Sequence, residues 1–368
     1  MIVLITLAFL LMAAAIILVN QLPDDNAWQV TADTTAAPVQ QSGGFSCSAS
    51  EAQQLYPFAD GVAKVTANRI AYLDVHGTEN FAVDIDFTAP FVVIQDRFLL
   101  AADRDGHAYV MITPDGESYR GSLNGSINGA AVSPDGMAAL IQDQTDSTGL
   151  VTVLAALTGQ KLYDCYFPES GYVLSVSFTG DGAFFDVALA NTNASVIHPK
   201  LKRYNIAGEQ QALRQPDLDS LYPLITYDPE GHPVICGSSQ IAAISYDQED
   251  LLWQRQYNQI QSVAASGDAL LVLAANQTGG AISLYRIEAD GSSSDGLVIG
   301  DSATFPAVSG HLTAIGSGTR LLLVDCRNDQ IILDQTMADE IIRVGFAGSR
   351  SLTVVTRTGV YSLPVSAQ

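Results

Sequence analysis

"AVSPDGMAALIQD" spans residues 131–143 and reads as a small apolar strand, a four-residue turn and a second apolar strand. In the turn Pro134 presets φ, Asp135 can bond back to the backbone and Gly136 can take positive φ, so the chain reverses there. The shape recurs. Comparable turns end at Gly61, Arg97, Gly136, Gly182, Gly231, Asp268, His311 and Arg350, with gaps of 36, 39, 46, 49, 37, 43 and 39 residues. A β-rich run follows each one, for example "FLLAAD", "AFFDVALA" and "ALLVLAA".

A second series of seven turns interleaves with the first and leads into a more polar strand, as in "YLDVHGTENFAV" (72–83) and "VDCRNDQIIL" (324–333). Each unit is therefore two hairpins, four short strands in about forty residues, which is the blade of a β-propeller. Blade stacked on blade buries both faces of the inner strands, which explains their continuous apolar runs. The expected fold class is all-β, a β-propeller of four-stranded blades; eight blades are favoured, with seven as the alternative. The last unit supplies only three strands before Gln368. A ring needs a fastening, so a stretch from Phe45 to Leu55 is expected to pair as its missing outer strand.

Composition supports a folded, β-rich globule: of 368 residues, 48% are hydrophobic and 15% charged. Acids outnumber bases 39 to 17, for a net charge of −22. Such a surface repels phosphate backbones and anionic headgroups, so no nucleic-acid partner is expected. Cys47, Cys165, Cys236 and Cys326 lie far apart with no CxxC spacing, which gives zinc or redox chemistry no support. A disulfide is left open.

At the N-terminus, residues 2–19 carry no charge, and eighteen residues at a helical rise span about 27 Å, enough to cross a hydrocarbon core. No A-x-A cleavage site follows, so residues 1–20 are expected to be an uncleaved transmembrane signal-anchor rather than a signal peptide. Residues 21–50, rich in Ala, Thr, Gln, Ser, Gly and Asp, read as a solvated tether, and residues 51–368 as the propeller. The expected location is the cell membrane, single-pass, with the propeller on the extracytoplasmic side.

"ALTGQKLYD" (156–164) and "DQEDLLWQRQ" (247–256) resemble the outer hairpins of PQQ-like and WD-repeat-like propellers, where a turn leads into a Trp- or Leu-bearing strand. An N-terminal span followed by such a domain also resembles a family of membrane-anchored propellers of Clostridia-like bacteria. The resemblance covers residues 51–368 and implies the fold; it carries no enzyme activity with it. The PQQ pattern calls for a Trp in nearly every repeat, and here Trp253 alone is so placed.

Local motifs add no chemistry. "DRDGH" (103–107) resembles the start of a calcium loop but lacks its later acids, and reads as a polar turn. His76, His107, His198, His232 and His311 fall in different units. Nothing matches a nucleophile elbow, HExxH, P-loop or dinucleotide fingerprint. No cofactor is expected, no catalytic, cofactor-binding or metal residue is nominated, and the four cysteines suggest none.

One connection departs from the rest. "NTNASVIHPKLKRY" (191–204) concentrates three of the 17 basic residues in four positions, and "DQTDSTG" (143–149) is a long neighbour on the same rim. Loops on rigid blades carry function, so His198, Lys200, Lys202, Arg203, Asp143 and Asp146 form the expected partner-binding rim. The leading function is a binding or scaffold module for an envelope protein or polymer. The alternative is a quinoprotein-like or glycan-active enzyme with a site at the central channel, which a convergent cluster of acids, Arg and Trp at a channel mouth would favour.

Overall fold

The computed structural model describes residues 42–143, 149–168, 171–191, 198–348 and 351–365. The expected span, residues 1–20, lies outside them, and among the described residues no helix is long and apolar enough to cross a membrane. Eight four-stranded antiparallel sheets follow one another along the chain. Blades 1 to 7 occupy residues 55–84, 90–122, 126–167, 172–214, 224–256, 259–300 and 307–336, each with its strands in chain order from the inside out. Seven turns of the first series join an inner strand to the second strand of its blade, and the eighth, ending at Arg350, falls partly outside the described residues.

Blade 8 takes three strands from residues 341–364 and its outer strand, Gly43–Ser46, from the other end of the domain. Phe45 pairs with Val360 and Ser46 with Gly359. The fastening expected from the sequence is present, with different bounds. Only Phe45 and Ser46 of the expected stretch lie in that strand, because Ser48 caps a short helix, Ala49–Ala52, in a capping box with Glu51. Leu55 then opens the inner strand of blade 1. The ring therefore starts at Gly43, inside the stretch read as tether.

No single core exists. Eight apolar layers each lie between two successive blades. Leu99 and Ala101 pack with Phe58, Ile70 and Tyr72 of blade 1. On the other face of the same strand, Phe98, Leu100 and Ala102 pack with Ile127 and Leu140 of blade 3. Side-chain alternation along one strand thus feeds two layers. The last layer joins Val355 and Val360 of blade 8 to Ala52, Leu55 and Val62, so the circle closes without an unpaired apolar face. Trp253 bridges blades 5 and 6, its indole N–H donating to the Ala289 carbonyl at 3.0 Å.

The turn chemistry is visible in the hydrogen bonds. Ser133 Oγ accepts from the Met137 amide at 2.9 Å, Thr179 Oγ1 from Phe184 at 3.1 Å and Asp228 Oδ1 from His232 at 2.8 Å. The first residue of "SPDG", "TGDG" and "DPEG" thus closes each turn, which is why a small polar residue stands there. All four cysteines are free thiols, three of them buried. Burial lifts Cys165 to about 11 and Cys326 to about 12, so neither is a nucleophile at neutral pH.

Candidate functional site

The inner strands begin at one edge of the ring, called here the upper rim; the connections between blades and between second and third strands lie on it too. The eight inner strands that wall the channel carry a single charged side chain, Arg343, and no Asp, Glu, His, Lys, Cys or Trp. Arg343 Nη1 donates to the carbonyls of Ala52 at 3.4 Å and Leu55 at 3.3 Å, with its guanidinium 4.2 Å from the Tyr56 ring centroid. That one charge holds blade 8 to blade 1. A glycan-active centre needs two facing carboxylates, and these strands supply none. Among the described residues no group of three His, Cys, Asp or Glu is placed to hold a metal. In "DRDGH", Asp103 Oδ1 accepts from the amides of Thr88 at 2.8 Å and Ala89 at 2.7 Å, pinning the connection between blades 1 and 2.

The residues grouped from the sequence divide. His198 and Asp143 lie at the upper rim: a His198 ring nitrogen sits 3.3 Å from the Leu218 carbonyl, and Asp143 accepts from the Asn128 amide. Asp146 falls outside the described residues. Lys200, Lys202 and Arg203 are not on a loop but in the third strand of blade 4, opposite Leu189, Val187 and Asp186. Pro199 and Leu201, both buried, mark the two-residue period that the intervening charges obscured. Lys202 Nζ lies 5.3 Å from the Phe167 ring centroid of blade 3, where burial and then the charge of Lys200 lower its pKa. Arg203 points to the opposite face, toward blade 5.

There it meets Asp186, which is fully buried. Arg203 Nε donates to Oδ1 at 3.0 Å and Nη2 to Oδ2 at 2.7 Å. The Tyr246 hydroxyl donates to Oδ1 at 2.7 Å, while the Tyr227 hydroxyl reaches either Oδ2 at 3.0 Å or the Ser177 carbonyl at 2.8 Å. Arg203 also lies 4.6 Å from the Tyr246 ring centroid. Burial pulls the Arg203 pKa down, but the hydrogen bonds and charge of Asp186 more than offset it. Burial, and then the Asp186 charge, push both tyrosines well above their ordinary range, so both remain donors. The cluster is a closed clamp between blades 4 and 5, and Arg203 is spent in it rather than offered to a partner.

What the upper rim does present is apolar. Residues 215–223 form the longest connection between two blades. Leu218 and Tyr222 anchor it, being 8% and 1% exposed, and Leu221 is left 48% exposed. Beside it stand Leu224 and Tyr172, the first residues of the inner strands of blades 5 and 4, at 42% and 53%. Two blades further round the ring, Phe305 is 79% exposed. Its connection is also pinned: Thr304 exchanges two hydrogen bonds with Gly316, at 2.8 Å and 3.0 Å, and Gln261 donates to the Ala303 carbonyl. Among the described residues, the upper-rim connections carry the acids Glu51, Asp86, Asp105, Asp217, Asp219, Asp301, Asp339 and Glu340 against the bases Arg104 and Arg357.

Residues 34–363 match the family described as "Family of unknown function (DUF5711)". The chain belongs to that family. Among curated proteins none matches it. The fold of this DUF5711 chain is similar to that of Sqt1 from Saccharomyces cerevisiae, with a TM-score of 0.65 at 10% identity over 90% of this chain and 100% of that one. BamB from Moraxella catarrhalis gives 0.56 at 12% identity, over 89% and 100%. The β-propeller domain of Cps50 (Swd1) from Myceliophteria thermophila gives 0.51 at 14%, over 77% and 98%. These likenesses are of fold alone.

The sequence contained a signal for the exposed cluster. The gap of 49 residues between the turns at Gly182 and Gly231 is the largest in the DUF5711 chain, and "PDLDSLYP" (216–223) sits within it. Basic residues make 198–203 conspicuous in so acidic a chain, whereas 216–223 carries none.

Proposed function

We propose that this chain is a binding module that holds a protein partner against its upper rim. The carrying observation is the pairing of three solvent-facing apolar side chains, Tyr172, Leu221 and Leu224, with an anchored loop on an acidic rim. Exposed apolar residues on rigid backbone lose little entropy on binding and make good anchors. The surrounding acids suit a partner whose contact face is apolar at the centre and basic at the edge. His198 and Asp143, on the same rim, belong to its polar border. The channel strands hold no pair of groups for acid–base work, which favours this reading over an enzyme. The apolar segment at residues 1–20 would tether the propeller to the cell membrane on its outer side.

A Tyr172→Ser, Leu221→Ser, Leu224→Ser variant is expected to retain its melting temperature and lose roughly tenfold or more of the partner recovered from expressing cells. Leu157→Ser, at the opposite rim, should recover as much as the parent. Retention by the triple variant with loss by Leu157→Ser would reverse the assignment. Protease added outside intact cells should degrade the propeller; full protection would remove the proposed location.

A further inference from the structure

Between blades 6, 7 and 8 the upper rim opens into a cavity of about 360 Å³, bounded by Ser262, Thr304, Phe305, Glu340, Ile341 and Gln261. That size is enough for one branched side chain with its backbone. One lining residue is unfinished. Ser262 is 5% exposed, and its hydroxyl has no hydrogen-bond partner among the described residues. A buried hydroxyl left so is unfavourable, and a ligand that supplies a partner removes the cost. Phe305 also lines the cavity, on the pinned connection described above. Negative charge gathers at the mouth: Glu340 lines the cavity, Asp339 precedes it and Asp301 opens the 301–306 connection. The nearby cations are engaged. Arg357 meets Glu340 at 3.4 Å, and Arg320 is turned to Asp334 in a two-toothed pair.

We propose that this cavity receives one aliphatic side chain from an extended segment of a protein partner, flanked in that segment by Lys or Arg. The aliphatic group lies between Phe305 and Ile341, Ser262 bonds the segment's backbone, and the flanking cations face Glu340, Asp339 and Asp301. This deepens the binding reading of the rim and rests on it, but uses a different set of residues from Tyr172, Leu221 and Leu224.

Four acetylated, amidated pentapeptides titrated into the full chain in detergent test it: Lys-Lys-Leu-Lys-Lys, Gln-Gln-Leu-Gln-Gln, Glu-Glu-Leu-Glu-Glu and Lys-Lys-Gly-Lys-Lys. The first should bind roughly tenfold more tightly than the second and fourth, with the third weakest, and the preference should shrink as salt rises. Phe305→Ala and Ser262→Ala should each weaken the first peptide by about tenfold. Both are mild to the fold, since Phe305 faces solvent and the Ser262 hydroxyl has no partner to lose. Leu157→Ser, at the opposite rim, should leave peptide binding unchanged. Equal binding of the Lys and Glu peptides, or an unaltered titration in Phe305→Ala, would overturn the cavity assignment. If capture of the cellular partner still depended on Leu221, the wider reading of the rim would stand.

Discussion

Asp186→Ala should lower the unfolding free energy by about 3–5 kcal/mol, the range found when one partner of a buried ion pair is removed. The carboxylate is fully buried, and it accepts two hydrogen bonds from Arg203 and one from Tyr246, with Tyr227 in reach. Its loss leaves a guanidinium whose side chain is only 18% exposed without a counter-charge, and strips Tyr246 of its acceptor. The double replacement Asp186→Leu, Arg203→Met should be much less damaging than Asp186→Ala, because it removes both charges and keeps the volume. Denaturant titrations of the parent and the two variants measure the difference. Equal losses in the single and double variants would mean that the clamp acts through packing alone.

Removal of residues 1–46 is the second large effect. The chain then lacks the strand Gly43–Ser46, and the strand Gly359–Pro364 becomes an open sheet edge. Phe45, packed at the layer between blades 8 and 1, goes with it. Loss of one large apolar contact and several strand hydrogen bonds predicts a drop of about 4 kcal/mol. The bare edge is a template for a second chain, so dimers should form with rising concentration. Light scattering and thermal melting check both. Gly77 gives the point version of this test: its φ is +82° and a Cβ there would stand 2.8 Å from the Phe45 ring, so the fastening needs glycine at that position. A truncated chain that melts like the parent and stays monomeric would show that the ring is not held by its first strand.

The architecture was legible because turn chemistry is local. Ser133, Thr179 and Asp228 close their turns with their own side chains, and their spacing along the chain is the blade repeat. Closure of the last blade followed from an incomplete strand count. Its bounds did not, because the capping box at Ser48 and Glu51 turns a polar stretch into a helix. The placement of the residues expected at the rim was only half legible. His198 and Asp143 do stand on the upper rim, but the charges at Lys200, Lys202 and Arg203 hid a strand whose partners come from the neighbouring blades. Asp186 finds Arg203, Tyr227 and Tyr246 at separations of 17, 41 and 60 residues, which no local pattern announces. The exposed side chains at Tyr172, Leu221, Leu224 and Phe305 are ordinary apolar residues in sequence; only burial of their neighbours makes them distinctive.

Photo-crosslinking in living cells tests the central claim most directly. A photoreactive residue is placed singly at Leu221 and Phe305 on the upper rim and at Leu157 on the other, and the propeller is recovered after illumination. Adducts of the same protein from Leu221 and Phe305, with none from Leu157, are the predicted result. Adducts from Leu157 alone would contradict it.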